Sequence, residues 1–301
     1  MKHDPTRCTA CPRRCGADRV SGRGGYCHAP DTVLLSRAAL HMWEEPCLSG
    51  TRGSGTVFFT GCALSCVYCQ NKAISRGENG YPVSEERFVE ILLSLQEKGA
   101  HNVNLVTPTH YASFLASALK RAREAGLRVP IVYNCGGYEG LDALRALRGL
   151  IDIYLPDFKY ADLLAAKRYS AAPDYFEVAK EALAEMVEQC PTPLFDEEGM
   201  MQKGVLVRHL MLPGNYRNSH DVVKYLATTY GDKIYISLMN QYTPIGDIGE
   251  RFPELASTVS DKEYRRLVAY AVRLGVTQGF TQEGGAATES FIPAFDGEGV
   301  L

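Results

Sequence analysis

Two groups of cysteines have spacings suited to metal chemistry. Cys62, Cys66 and Cys69 form a C-x3-C-x2-C pattern in TGCALSCVYCQN, and Cys8, Cys11, Cys15 and Cys27 form C-x2-C-x3-C-x11-C. The number of thiols separates the two. A structural zinc site takes four protein ligands, whereas a cubane iron-sulfur cluster on three thiolates leaves one iron open to an outside ligand. The triplet therefore reads as a reactive cluster site, with a zinc site completed by Cys47 or His110 as the alternative. The quartet is followed by His28 and interleaved with Pro12, Gly16, Gly22, Gly24 and Gly25. It reads as a closed site for zinc or an auxiliary four-iron cluster, or as a metal-free redox-active thiol set. So small a segment buries little core, and a bound metal would supply its folding energy. Cys47, Cys135 and Cys190 show no obvious partners; of these, Cys135 falls at a strand end.

The whole chain bounds what these sites can serve. Its 301 residues are 46% hydrophobic and 22% charged, enough for a sizeable buried core. The net charge of -3 gives no basic footprint for nucleic acid or an anionic membrane surface. The start, MKHDPTRCTACPRRC, lacks the apolar core of a secretory signal, and no stretch approaches the roughly 18 apolar residues of a membrane span. A cytoplasmic location is expected. Eight of the ten cysteines fall within the first 69 residues, and in a reducing compartment such clustering points to metal or redox chemistry before disulfides.

The elements that must position these groups follow from periodicity. Residues 1–50 comprise the Cys-rich segment and an irregular connector, and residues 51–301 alternate strand-like runs with amphipathic stretches. Strands are expected at 56–60, 102–106, 130–134, 151–155, 205–212, 233–239 and 276–281, each short and rich in β-branched or aromatic residues. Phe88, Ile91, Leu92 and Leu95 share a helical face after the N-cap residue type Ser84, and Leu115, Ala118, Leu119 and Ala122 share another before Gly126. The same period recurs at Leu141, Leu144 and Leu147, from Phe176 to Val187, from Val222 to Leu226 and from Tyr264 to Ala271. Repeated strand and helix predict a parallel α/β sheet, open or closed into a barrel.

Such folds place chemistry at the carboxyl ends of their strands. The residues there are polar: Thr107, Thr109 and His110 after the second strand, Asn134 and Cys135 after the third, and Asp157 and Lys159 after the fourth. Arg208 and His209 lie in the fifth, Asn240 and Gln241 follow the sixth, and Gln282 and Glu283 follow the seventh.

With the cysteine triplet directly after the first strand, the chain resembles the radical S-adenosylmethionine (SAM) superfamily. That resemblance implies a partial (β/α)6 TIM-like barrel, a 4Fe-4S cluster on Cys62, Cys66 and Cys69, and SAM chelated to the open iron by its amino and carboxylate groups. An electron through the cluster would then break the sulfonium bond and release a 5'-deoxyadenosyl radical. Tyr68 and the Gln70-Asn71 pair are similar to the branch that activates glycyl radical enzymes such as pyruvate formate-lyase, where the aromatic lies beside the adenine.

Further strings extend this resemblance over about residues 55–285. VRHLMLPGNYRNS puts Arg208 where the activases contact the SAM carboxylate, and a guanidinium fork suits that group. IYLPDFKYAD implies cofactor or cation contacts for Asp157 and Lys159, and VYNCGGYEG implies the same for Asn134, with Gly136 and Gly137 in a tight turn. SLMNQYTPIGD offers Asn240, Gln241, Tyr242 and Thr243 toward the ribose. After the second strand the family carries Gly-Gly-Glu-Pro; VTPTHY stands here instead, leaving Thr107, Thr109 or His110 to meet the SAM amino group.

The resemblance implies hydrogen abstraction fed by a low-potential donor such as flavodoxin or ferredoxin, with a glycyl radical enzyme as protein substrate. A small molecule or peptide is the alternative substrate. A non-catalytic electron carrier or zinc module is the competing class; a pure carrier would not need Arg208, Asp157 and polar loops above the sheet.

Overall fold

The computed structural model describes residues 4–22, 24–282 and 293–301. Among them, ten strands form one sheet: β1 (Leu34–His41), β2 (Ser54–Phe59), β3 (Tyr81–Pro82), β4 (Val103–Val106), β5 (Ile131–Cys135), β6 (Ile153–Pro156), β7 (Leu194–Phe195), β8 (Met201–Leu210), β9 (Tyr235–Met239) and β10 (Gly279–Thr281). Their order is β10-β9-β8-β6-β5-β4-β2-β1-β3, with β7 attached to β8. Every pairing from β2 through β4, β5, β6, β8 and β9 to β10 is parallel. This is the expected partial α/β barrel.

The helices are α1 (Pro46–Ser49), α2 (Lys72–Ser75), α3 (Glu85–Glu97), α4 (Ala112–Glu124), α5 (Leu141–Ala146), α6 (Leu163–Ser170), α7 (Tyr175–Gln189), α8 (Tyr216–Tyr230), α9 (Ile248–Arg251) and α10 (Asp261–Arg273). Ser84 caps α3 by accepting from the Arg87 amide, and Phe88, Ile91, Leu92 and Leu95 bury the face that the period marks. Helix α6 starts on Asp162, whose carboxylate accepts from the Leu164 and Ala165 amides.

Strand alternation divides the core into two layers. Val103, Leu105, Ile131, Tyr133, Val205 and Val207 pack outward among the helices. Val132, Ile153, Leu155 and Leu206 point inward, where Cys47 and Leu48 of α1 cover them. The residues alternating with the outward set on the same strands, Asn104, Asn134 and Arg208, therefore belong to the interior.

The stretch expected as an irregular connector contains β1, antiparallel to β2 from Leu35 opposite Phe59 to His41 opposite Ser54. A register shift between Leu35 and Arg37 breaks the two-residue alternation, which is why periodicity did not mark this strand. The C-terminal residues lie on the same edge: Ala38 N–H donates to the Glu298 carbonyl and Gly297 N–H to that of Ser36. Phe295 meets the Phe58 ring edge-on at 5.4 Å. No helix among the described residues is long and apolar enough to cross a membrane.

Candidate functional site

The triplet loop leaves β2 through Gly61, whose φ of +96° suits glycine. A Cβ there would also come within 2.6 Å of the Cys27 carbonyl. The loop holds its thiols by local donors: Leu64 N–H points at Cys62 Sγ (3.4 Å) and Ser170 Oγ at Cys66 Sγ (2.9 Å). Ser170 ends a buried hydroxyl chain, bonding Tyr160 at 2.7 Å, which bonds Tyr68 at 2.8 Å. Tyr68 thus has its hydroxyl engaged and its ring edge against Tyr242.

Burial, reinforced by neighbouring thiols, pushes the Cys62 thiol up and that of Cys69 up to about 12. Cationic iron at the sulfurs would reverse that preference. Among the described residues no three His, Cys, Asp or Glu side chains gather tightly enough to hold a single ion. A cubane does not ask for this, because each thiolate binds a different iron and the sulfurs stand apart. Three thiols in one loop, two of them held by donors, fit such a cluster.

The quartet packs directly against this loop. Cys8, Cys11 and Cys27 are buried and Cys15 is exposed. Cys62 N–H donates to the Cys27 carbonyl at 3.2 Å. Arg13, between two of the cysteines, donates to the carbonyls of Ala63, Ala171 and Ser170, locking the segment onto the loop and α6. Arg19 is 2% exposed and donates to the carbonyls of Ala29, Pro30 and His110. Neither arginine was singled out by spacing; PRRC within a cysteine set was the available signal for Arg13.

Across the strand ends, Arg208 gathers the other polar candidates. Its Nε donates to Asp157 Oδ1 (2.9 Å), Nη2 to Asn134 Oδ1 (2.6 Å) and Nη1 to Glu44 Oε2 (3.2 Å). Lys159 Nζ takes the second Asp157 oxygen at 2.6 Å. Burial pushes the Asp157 carboxyl up, but Arg208 and Lys159 outweigh it and hold it below the ordinary range. For Glu44 the balance is opposite: burial outweighs Arg208 and raises it. Glu44 was not anticipated, nor was Glu45 beside it; their signal was an acidic pair between Trp43 and Pro46.

The expected tight turn at Gly136 and Gly137 is present, and its close neighbours are protein groups. A Cβ on Gly137 would collide with the Asp157 carbonyl, and one on Gly136 would fall within 2.7 Å of Leu64 Cδ1 and 3.7 Å of Lys159 Cε. The turn therefore brings the cysteine loop and the Arg208 cluster together.

The remaining candidates lie apart from that cluster or are tied elsewhere. Thr109 Oγ1 donates to buried Glu139, and His110 Nε2 donates to the Thr60 carbonyl, so both brace the loop after β4. Burial lowers the His110 pKa to about 3, so its ring stays neutral. Thr107 is half-buried at the end of β4, and Asn71 precedes α2 with its side chain not capping it. Gln241 accepts from Gln282 Nε2, and Gln282 Oε1 accepts from the Asn240 amide. Glu283 lies outside the described residues.

His209, next to Arg208, faces the opposite layer and donates from Nδ1 to the Phe158 carbonyl at 2.7 Å. Burial lowers its pKa to about 4 from 6.5, against a smaller opposing effect of that carbonyl. With the folded value below the unfolded one, stability is full above pH 6.5 and lost as pH falls toward 4. His209→Gln is expected to shrink the stability loss between pH 7 and 4.5 by on the order of 2 kcal/mol, measured by denaturant unfolding.

A sequence model of the Radical SAM superfamily matches residues 56–225, more than half the chain and inclusive of the triplet and Arg208. The chain belongs to the radical SAM superfamily. It is therefore an enzyme that uses a 4Fe-4S cluster and SAM to generate a 5'-deoxyadenosyl radical. An uncharacterized protein of Methanocaldococcus jannaschii is 27% identical over 273 residues, covering 88% of this chain and 74% of that protein. Among solved structures, methylornithine synthase aligns with a TM-score of 0.51 at 17% identity over 73% of this chain and 60% of that one. Streptococcus suis SuiB bound to its precursor peptide gives 0.49 at 13% identity over 74% and 46%. The chain thus spans about half the length of these two solved proteins, and likeness at such identity concerns the fold alone.

Proposed function

We propose that Cys62, Cys66 and Cys69 hold the 4Fe-4S cluster and that SAM is seated between their loop and the strand ends bearing Asn134, Asp157, Lys159 and Arg208. The observation carrying this is the packing of Leu64, inside the triplet loop, against the Gly136 turn beside Lys159. The reacting iron and the charged anchors then face one space. When bound, SAM supplies the radical that abstracts hydrogen.

The residues prepare that space. Arg208 presents a rigid fork to the SAM carboxylate, and Asp157, clamped by Lys159, fixes the direction of the fork. Asn134 supports its other edge. Tyr68 walls the adenine side, while Asn71, Thr107 and Gln241 offer neutral hydrogen-bonding groups. Thr109 and His110 act through the loop that they brace.

Cys8, Cys11, Cys15 and Cys27 form a second metal site, zinc or an auxiliary iron-sulfur cluster, and zinc, a single ion, would need the sulfurs drawn closer than they stand. The Cys27 to Cys62 hydrogen bond favours the cluster, since it would join two redox centres through backbone. Electrons would come from a low-potential donor such as flavodoxin or ferredoxin.

The RHLMLPG and IYLPDFK strings favour the pyruvate-formate-lyase-activating-like branch, with a glycyl radical enzyme as substrate. A second reading, a small-molecule substrate, is favoured by the buried polar interior around Glu44 and Glu45. Iron and zinc analysis tests the metal assignment. The anaerobically reconstituted protein is expected to lose four irons when Cys62, Cys66 and Cys69 all become Ala, as expected for one cubane. Iron unchanged in that variant would contradict it.

A further inference from the structure

The interior beneath Arg208 has a polar composition that the radical-generating step does not use. Glu44 and Glu45 enter it on the segment leading to α1, whose Cys47 and Leu48 seal the apolar layer below. Glu45 is 8% exposed, and its Oε2 has no hydrogen-bond partner among the described residues. Asn104 sits in the middle of β4, fully buried, beside Glu44. Its Nδ2 faces the Glu44 carboxylate, and its Oδ1 has no hydrogen-bond partner among the described residues. Buried polar atoms are nearly always paired, so two such acceptors beside Glu44 mark a missing donor.

Charge identifies that partner. Asp157 is balanced by Lys159, and Glu44 by Arg208. Glu45 faces the same arginine and Glu44, with Ser237 as its hydrogen-bonding neighbour, and among the described residues it has no cation of its own. Burial outweighs Arg208 and pushes its carboxyl up to about 7, as for a carboxylate awaiting a counter-charge. If the SAM carboxylate engages Arg208, Glu44 is released as well, and two carboxylates then lack a cation. The SAM amino group would not fill the need, because as a neutral amine it would chelate the open iron.

We propose that Glu44, Glu45 and Asn104 form a subsite for a primary ammonium group of the molecule that the radical attacks, making the substrate a small amine or amino acid. This rests on the proposed seating of SAM at Arg208 and deepens it. The carboxylates accept two ammonium hydrogens, and the Asn104 carboxamide oxygen accepts the third. The Asn104 amide hydrogens stay directed at Glu44 and hold its carboxylate in place. Ordered binding follows: SAM frees Glu44 from Arg208 and completes the ammonium site.

The test uses the reconstituted holoprotein with SAM, titrated with n-butylamine and with its neutral isostere n-butanol. Saturable binding of the amine about tenfold or more tighter than the alcohol is expected. Glu45→Gln, nearly isosteric and relieved of a buried unpaired charge, should unfold at an equal or higher temperature, bind SAM as before and lose that preference. Asn104→Leu should weaken amine binding in the same direction and serves as the second variant if Glu45→Gln does not fold. Equal binding of amine and alcohol would overturn the proposal, as would amine affinity unchanged in both variants. Weakened SAM binding with amine affinity intact would assign Glu45 to the cofactor and also overturn it. None of these readouts needs turnover, so failure here is distinct from failure to cleave SAM.

Discussion

Cys62→Ala is expected to abolish 5'-deoxyadenosine formation while leaving the fold and the N-terminal cysteine set in place. The thiol sits at the exit of β2, and its backbone amide, not its sulfur, makes the bond to Cys27. Removing the sulfur therefore leaves that link intact. A cubane with two protein thiolates has two unprotected irons, which disfavours stable assembly. Circular dichroism should be unchanged, iron should fall by one cluster, and SAM cleavage should drop to background. Cleavage persisting near the wild-type rate would remove the triplet from the reaction.

Arg208→Met carries the second large effect, on stability and SAM binding together. The substitution strands Glu44 and leaves Asp157 with Lys159 alone, and breaking a buried pair by removing one partner costs about 3–5 kcal/mol. The lost carboxylate fork should weaken SAM by about a hundredfold, within the 2–5 kcal/mol typical of truncating a buried charge pair. Arg208→Lys separates the two effects, because lysine keeps the charge but not the bidentate geometry. It should recover more of the stability than of the affinity. Denaturant unfolding and equilibrium titration with SAM check both.

Much of this architecture was legible from periodicity. Each of the seven expected parallel strands exists, and all but the edge strand β10 are short apolar runs mostly buried on both faces, which have few other conformations open to them. Strand β1 was not legible, since its register shift hides the alternation and its partner β2 is distant in side-chain pattern. Of the site, Asn134, Asp157, Lys159 and Arg208 could be named because strand ends concentrate polar groups in this fold. Their mutual contacts could not, since those depend on the strand order that makes β5, β6 and β8 neighbours and pairs Asp157 with Arg208.

Glu44, Glu45 and Asn104 were illegible for different reasons. The two glutamates lie on a short crossing segment without periodicity, and their burial follows from α1 packing under the sheet. Asn104 did carry a signal, a carboxamide between valine and leucine in an otherwise apolar strand. That signal acquires meaning only when neighbouring strands show which side faces inward. Thr109 and His110 illustrate the converse: polar residues at a strand end whose side chains are spent on Glu139 and Thr60.

The most direct measurement is 5'-deoxyadenosine release by the protein reconstituted anaerobically with iron and sulfide, reduced with dithionite and given SAM. The account predicts 5'-deoxyadenosine and methionine in equal amounts, dependent on reductant. Absence of both from a protein with its cluster fully loaded would contradict it.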